Sequence, residues 1–73
     1  MNYAETQRLR LIDTLAGQYG AVGRGVLMDY FGISRPQASA DLKRYRELAP
    51  NNLKYDTTAK AYVKTQSFER VWQ

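Results

Sequence analysis

The densest run of side chains able to recognise a partner lies between Ser34 and Arg46. Ser34, Gln37 and Ser39 are compact hydrogen-bonding groups, Arg35, Lys43, Arg44 and Arg46 are cations, and Ala40 sets a methyl group among them. Such a set makes and accepts hydrogen bonds and neutralises anions; it does not make or break covalent bonds. An arginine fork or a side-chain amide can span two groups on a base edge, and an alanine beside them leaves room for a thymine methyl. A second set follows at Lys54, Thr57, Thr58 and Lys60, and Arg24 stands ahead of both.

The remaining composition narrows the chemistry. The 73 residues include no cysteine and no histidine, which removes disulfides, thiolate nucleophiles, zinc sites of the usual ligand types and imidazole catalysis together. The seven acidic residues are scattered without a spacing that converges them, so no enzyme, metal or cofactor is expected. The net charge is +4 and unevenly placed: residues 34–64 hold seven cations against three acids, while the remainder holds four of each. Such a local excess favours a polyanionic partner, because neutralising phosphates releases their counterions. An apolar fraction of 44% with 25% charged residues is ordinary for one soluble globular domain. No apolar run approaches a membrane span and no secretion signal is visible, so a cytoplasmic protein without membrane contact is expected.

These groups must be positioned by helices and a hairpin. Residues 3–19 read as an amphipathic helix with Leu9, Ile12, Leu15, Ala16 and Tyr19 on one face and Arg8, Arg10 and Asp13 off it; Gly17 and Gly20 favour its termination. After a connector at 21–23, Val26, Leu27, Tyr30 and Phe31 give a short helix over 24–31, stopped by Gly32, with Ile33 plugging the corner. Ser34 is an N-cap and Pro36 falls in the first turn of a helix over 35–48, whose buried stripe is Ala38, Leu42 and Tyr45. Pro50 forbids its continuation. The period then becomes two: Leu53, Tyr55, Ala61 and Val63 (or Tyr62) alternate with Lys54, Asp56, Lys60 and Lys64, giving a hairpin with a loop of about four residues. Phe68, Val71 and Trp72 suggest a short helical tail over 67–73 behind a core of 1–66. Its apolar edge would begin a dimer surface or cap the first helix.

The expected fold is therefore α+β, mainly α, in one domain. Two helices joined by a short glycine-containing turn have helix-turn-helix geometry, and the hairpin after them makes the unit a winged helix-turn-helix. In that geometry Arg35, Gln37 and Ser39 would read base edges in a major groove, with Ala40 beside a thymine methyl. Lys43, Arg44, Arg24 and the Ser34 hydroxyl would hold phosphates, and Lys54, Thr57, Thr58 and Lys60 would be wing contacts. Asp41 is discordant on such a helix and should pair with a neighbouring arginine or lysine. The rival reading is a winged helix that docks proteins and not DNA, and it calls for exposed apolar residues on the third helix.

Phe31-Gly32-Ile33-Ser34-Arg35 with Ala38-Ser39-Ala40-Asp41-Leu42 resembles the winged helix-turn-helix of DeoR-type regulators. The longer string Ser34-Arg35-Pro36-Gln37-Ala38-Ser39, Asp41-Leu42, Tyr45, Pro50-Asn51-Asn52-Leu53, Tyr55-Asp56, Lys60 and Tyr62-Val63 is similar to the N-terminal domain of WYL-containing repressors of the BrxR and CapW kind, over about residues 8–64. The resemblance implies a bacterial, nucleoid-associated transcriptional repressor from a phage-defence locus, acting as a homodimer on an inverted-repeat operator in double-stranded DNA. No WYL domain is present in these 73 residues, so the chain reads as an excised domain or a stand-alone relative. No ligand-sensing role passes to any residue.

Overall fold

The computed structural model describes residues 2–72; Met1 and Gln73, the last residue of the expected tail, lie outside the described residues. Helix α1 spans Tyr3–Tyr19, and the Asn2 side chain caps it by accepting from the Glu5 amide at 2.8 Å. It ends at Gly20, whose φ of 84° needs a residue without a Cβ and whose amide donates back to the Ala16 carbonyl. Strand β1, Ala21–Val22, leads into α2, Arg24–Phe31, and a three-residue turn leads into α3, Arg35–Leu48. Strands β2, Leu53–Asp56, and β3, Ala61–Lys64, form the hairpin. The helix bounds agree with those expected from periodicity and caps.

The connector at Ala21-Val22 does more than link helices. It pairs antiparallel with β3, Ala21 opposite Val63 and Val22 opposite Tyr62. The sheet therefore has three strands in the order β1-β3-β2, with the second wing strand at its centre. The core is Leu9, Ile12 and Ala16 of α1, Val22, Leu27, the Ala38–Leu42–Tyr45 stripe of α3, and Leu53. Tyr62, not Val63, is the β3 side chain packed against it. Tyr19 departs from the expected core face and stays 72% exposed, because the chain turns away at Gly20 one residue later.

Two further expectations are corrected. Asp13, expected off the buried face, is fully buried. The tail over 67–72 is not helical. The two corrections share a cause. The Asp13 carboxylate accepts from the Tyr45 hydroxyl at 2.5 Å, from Arg70 Nε at 2.9 Å and from the Val71 and Trp72 amides at about 3.0 Å. Asn52 adds a two-point clasp, accepting from the Glu69 amide at 3.0 Å and donating to its carbonyl at 2.7 Å. Donors that a helix would spend on its own carbonyls are thus committed to side chains of α1 and of the segment after α3. The tail is a strap. Phe68 and Trp72 lie against the core, so it caps α1 of its own chain. Gly17 lies inside α1 and does not end it; a Cβ there would stand 3.0 Å from Arg70 Cδ and 3.2 Å from the Phe68 ring.

Burial alone would push the Asp13 carboxyl up, but the Tyr45 hydroxyl, the Trp72 and Val71 amides and the Arg70 guanidinium outweigh it and hold it below its ordinary value. Burial, then Asp13, pushes the Tyr45 hydroxyl up. A depressed carboxylate contributes stability that is complete above its unfolded value, near 3.8, and is lost as pH falls through the folded value. Urea midpoints measured from pH 7 to pH 2 should therefore fall below about pH 4. Asp13→Asn, less stable throughout but with no proton to take up there, should lose less over the same interval. Parallel curves for the two proteins would remove Asp13 from the acid response.

Candidate nucleic-acid interface

The third helix is held from beneath and from its start. Ala38, Leu42 and Tyr45 are at most 1% exposed, which fixes its rotation. Gly32 closes α2 at φ 64°, and the Ser34 hydroxyl accepts from the Gln37 amide at 3.2 Å, which fixes where α3 begins. Residues spaced by three and four then line the opposite side. Pro36, Ala40, Lys43 and Glu47 run along it, all exposed. The first half of the face is small at Pro36 and Ala40, the cation Lys43 follows, and its only outward acid, Glu47, stands at the far end.

Arg35, Ala40, Lys43 and Arg44 are exposed, as the sequence suggests. Ser34 is exposed too, though its hydroxyl is occupied as the cap. Gln37 and Ser39 are half-buried and, two residues apart, flank the helix on roughly opposite sides. Gln37 Nε2 donates to Asp41 Oδ1 at 2.9 Å, which uses one of its two amide protons and leaves the carbonyl and the other proton. Ser39 Oγ accepts from Arg24 Nη1 at 3.4 Å, so α2 supports the opposite flank.

Asp41 is 1% exposed and pairs with Arg8 Nε at 2.7 Å. The expected counter-charge exists, and α1 supplies it. The acid that would repel phosphate is thereby turned inward and neutralised. Arg44 and Glu47 approach at 3.5 Å with both side chains about half exposed, a pairing too weak to hold Arg44 from a phosphate. Arg35 and Lys43 have no acidic partner among the described residues.

The wing is shaped by Asp56, whose Oδ1 accepts from the Thr58 and Ala59 amides at 2.9 and 3.1 Å, an Asx-type turn. It leaves Thr57, Thr58 and Lys60 exposed at the tip and Lys54 exposed on β2. Lys60 takes a left-handed φ of 55°, which lets the four-residue loop close onto β3. The tip residues thus form a second cluster, apart from α3.

Three residues that shape this region received no contact role from the sequence. Arg8 holds Asp41, and the signal available was an acid on a basic helix requiring a cation. Arg46 stacks its guanidinium 4.7 Å from the centre of the Tyr62 ring, so this cation ties α3 to the wing. Tyr55, opposite Tyr62, is half exposed beside the same seam. Among the described residues no group of acids is arranged to hold a metal ion, and no helix is long and apolar enough to cross a membrane.

Residues 4–72 match the family described as the BrxR transcriptional regulator winged helix-turn-helix domain. The chain is 44% identical over 70 residues to the DNA-binding transcriptional repressor CapW of Pseudomonas aeruginosa, covering 96% of this chain and 23% of that protein. The Escherichia coli repressor of the same name is 43% identical over 70 residues, with the same coverage. That of Stenotrophomonas maltophilia is 41% identical over 71 residues, covering 97% of this chain and 24% of the relative. The chain spans about a quarter of the length of the curated relatives it matches.

Proposed function

This chain belongs to the family of BrxR transcriptional regulator winged helix-turn-helix domains, and from that premise we propose that it binds double-stranded DNA sequence-specifically and represses transcription. Helix α3 enters the major groove and the β2–β3 hairpin lies against the neighbouring backbone. The observation that carries this reading is the outer face of α3: small at Ala40, cationic at Arg35, Lys43 and Arg44, with Asp41 sequestered by Arg8. A protein-docking helix would expose apolar side chains there, and this face has none larger than Pro36 and Ala40 until Leu48.

Roles follow from placement. Arg35 and Gln37 read base edges at the start of the helix, and Ala40 accommodates a thymine methyl. Ser39, turned to the α2 side, sets Arg24 and is less suited to a base than Arg35. Lys43, Arg44 and Arg24 bind phosphates, the exposed oxygen of Ser34 supports one more, and Lys54, Thr57, Thr58 and Lys60 grip backbone along the wing. Two copies on an inverted repeat, with half-sites about one helical turn apart, give operator-length recognition. The setting is the bacterial cytoplasm, and the partner is chromosomal or phage DNA.

The test is a fluorescence-anisotropy titration of duplexes from upstream of the protein's own gene, against scrambled duplexes, at several salt concentrations. Tight, selective binding should weaken with a log–log salt slope of about 0.9 per phosphate neutralised. Lys43→Ala should weaken all duplexes alike and flatten that slope by about one, whereas Gln37→Ala should reduce discrimination and leave the slope. Identical behaviour of the two variants would refute this division of roles. No binding to any duplex at low salt would end the DNA reading and leave the basic face as a protein-docking surface.

A further inference from the structure

Between the first turn of α2, the inner flank of α3 and the wing lies a cleft of about 230 Å³, lined by Arg24, Ser39, Leu42, Tyr55 and Tyr62. We propose that this cleft seats one phosphodiester unit of the DNA backbone, with Arg24 on the phosphate and the Tyr55–Tyr62 pair against the deoxyribose. The inference deepens the DNA-binding reading and rests on it.

Position is the first argument. The cleft occupies the gap between α3 and the hairpin, so a backbone gripped by both must pass across it. Charge is the second. No acid lines the cleft, Arg24 is exposed at its edge, and Arg46 lies over the Tyr62 ring. Arg46 makes no ion pair among the described residues, so its positive charge adds to the potential of that wall. Shape is the third. Tyr55 is 49% exposed yet held edge-on to Tyr62 at 5.0 Å between ring centres, which presents a fixed aromatic surface at little entropic cost. Neither tyrosine hydroxyl has a hydrogen-bond partner among the described residues. The Arg24–Ser39 bond, at 3.4 Å, orients the guanidinium and is long enough to be exchanged for a phosphate oxygen. The volume exceeds what a single water needs and falls short of the roughly 300–1,000 Å³ of drug-sized ligand pockets, which favours a backbone unit over a small effector.

The test combines protein variants with duplexes carrying one neutral methylphosphonate linkage per half-site, moved along each strand. At one position the neutral linkage should cost the wild-type chain about tenfold in affinity, as expected for losing one charge-assisted contact. Arg24→Gln should bind the unmodified duplex about tenfold more weakly and lose nothing further at that position, because the same contact is already gone. Tyr55→Leu, checked by circular dichroism for a native fold, should weaken specific and scrambled duplexes by the same several-fold factor. The proposal is overturned if the arginine and methylphosphonate effects multiply at every position. It is equally overturned if natively folded Tyr55→Leu binds as wild type does. Failure of the wild-type chain to bind any duplex would overturn the DNA-binding reading itself, and this one with it.

Discussion

Asp13→Ala should lower the unfolding free energy by about 3–5 kcal/mol, out of the roughly 4–11 kcal/mol expected for a domain of this size. The wild-type carboxylate is fully buried and gathers four donors: the Tyr45 hydroxyl, Arg70 and the Val71 and Trp72 amides. Alanine leaves the Tyr45 hydroxyl inside the core without its acceptor, at the cost of an unsatisfied buried donor. It also leaves a cavity where the carboxylate stood and releases the strap, so Phe68 and Trp72 lose their seat on α1. Thermal melting should fall by at least about 12 °C. Asp13→Leu combined with Tyr45→Phe should recover part of the loss, because replacing both ends of a buried polar contact is milder than orphaning one. An Asp13→Ala chain melting within two or three degrees of wild type, on the order of 0.5 kcal/mol, would show that the network contributes little.

Ala40→Glu should abolish measurable specific binding while leaving the melting temperature almost unchanged. Ala40 is exposed on α3, and glutamate is a good helix former, so the fold has no reason to respond. At the interface the change is severe. A longer side chain holds the helix off the groove, and its carboxylate, one turn from Lys43 and Arg44, draws those cations from phosphates and adds a like-charge contact, which costs several kcal/mol. About 3 kcal/mol corresponds to more than a hundredfold in affinity. Ala40→Ser, shorter and uncharged, should stay within a few-fold of wild type on non-specific duplexes. Binding of Ala40→Glu at near wild-type affinity would mean that this side of α3 does not face DNA.

These two residues also mark how far the sequence is legible. The exposure of Ala40 follows from counting: Ala38, Leu42 and Tyr45 define the inner stripe, and position 40 falls opposite. The bounds of α2 and α3 were equally local, because Gly32, Ser34 and Pro36 act on the backbone within one turn of themselves. The wing needed only a switch to period two and a polar loop closed by Asp56. Asp13 was opaque for the opposite reason. Hydrophobic periodicity assigns an aspartate to the solvent side, and its burial depends on Tyr45, 32 residues away, and on Val71 and Trp72, 58 and 59 away. The same three- and four-residue spacing that suggested a helical tail at Phe68, Val71 and Trp72 is satisfied by a strap whose amides point at Asp13 and Asn52. Gln37 and Ser39 carry the same expectation in sequence, but tertiary contacts with Arg8–Asp41 on one side and Arg24 on the other give them different surroundings. The sequence by itself determined the helices, their caps, the hairpin and the charge concentrated in residues 34–64, since each depends on neighbours within about four residues. Only the tertiary structure decided which charges are spent inside the molecule, that β1 joins the sheet, and that the tail clasps α1, since each depends on partners brought together by folding from distant parts of the chain.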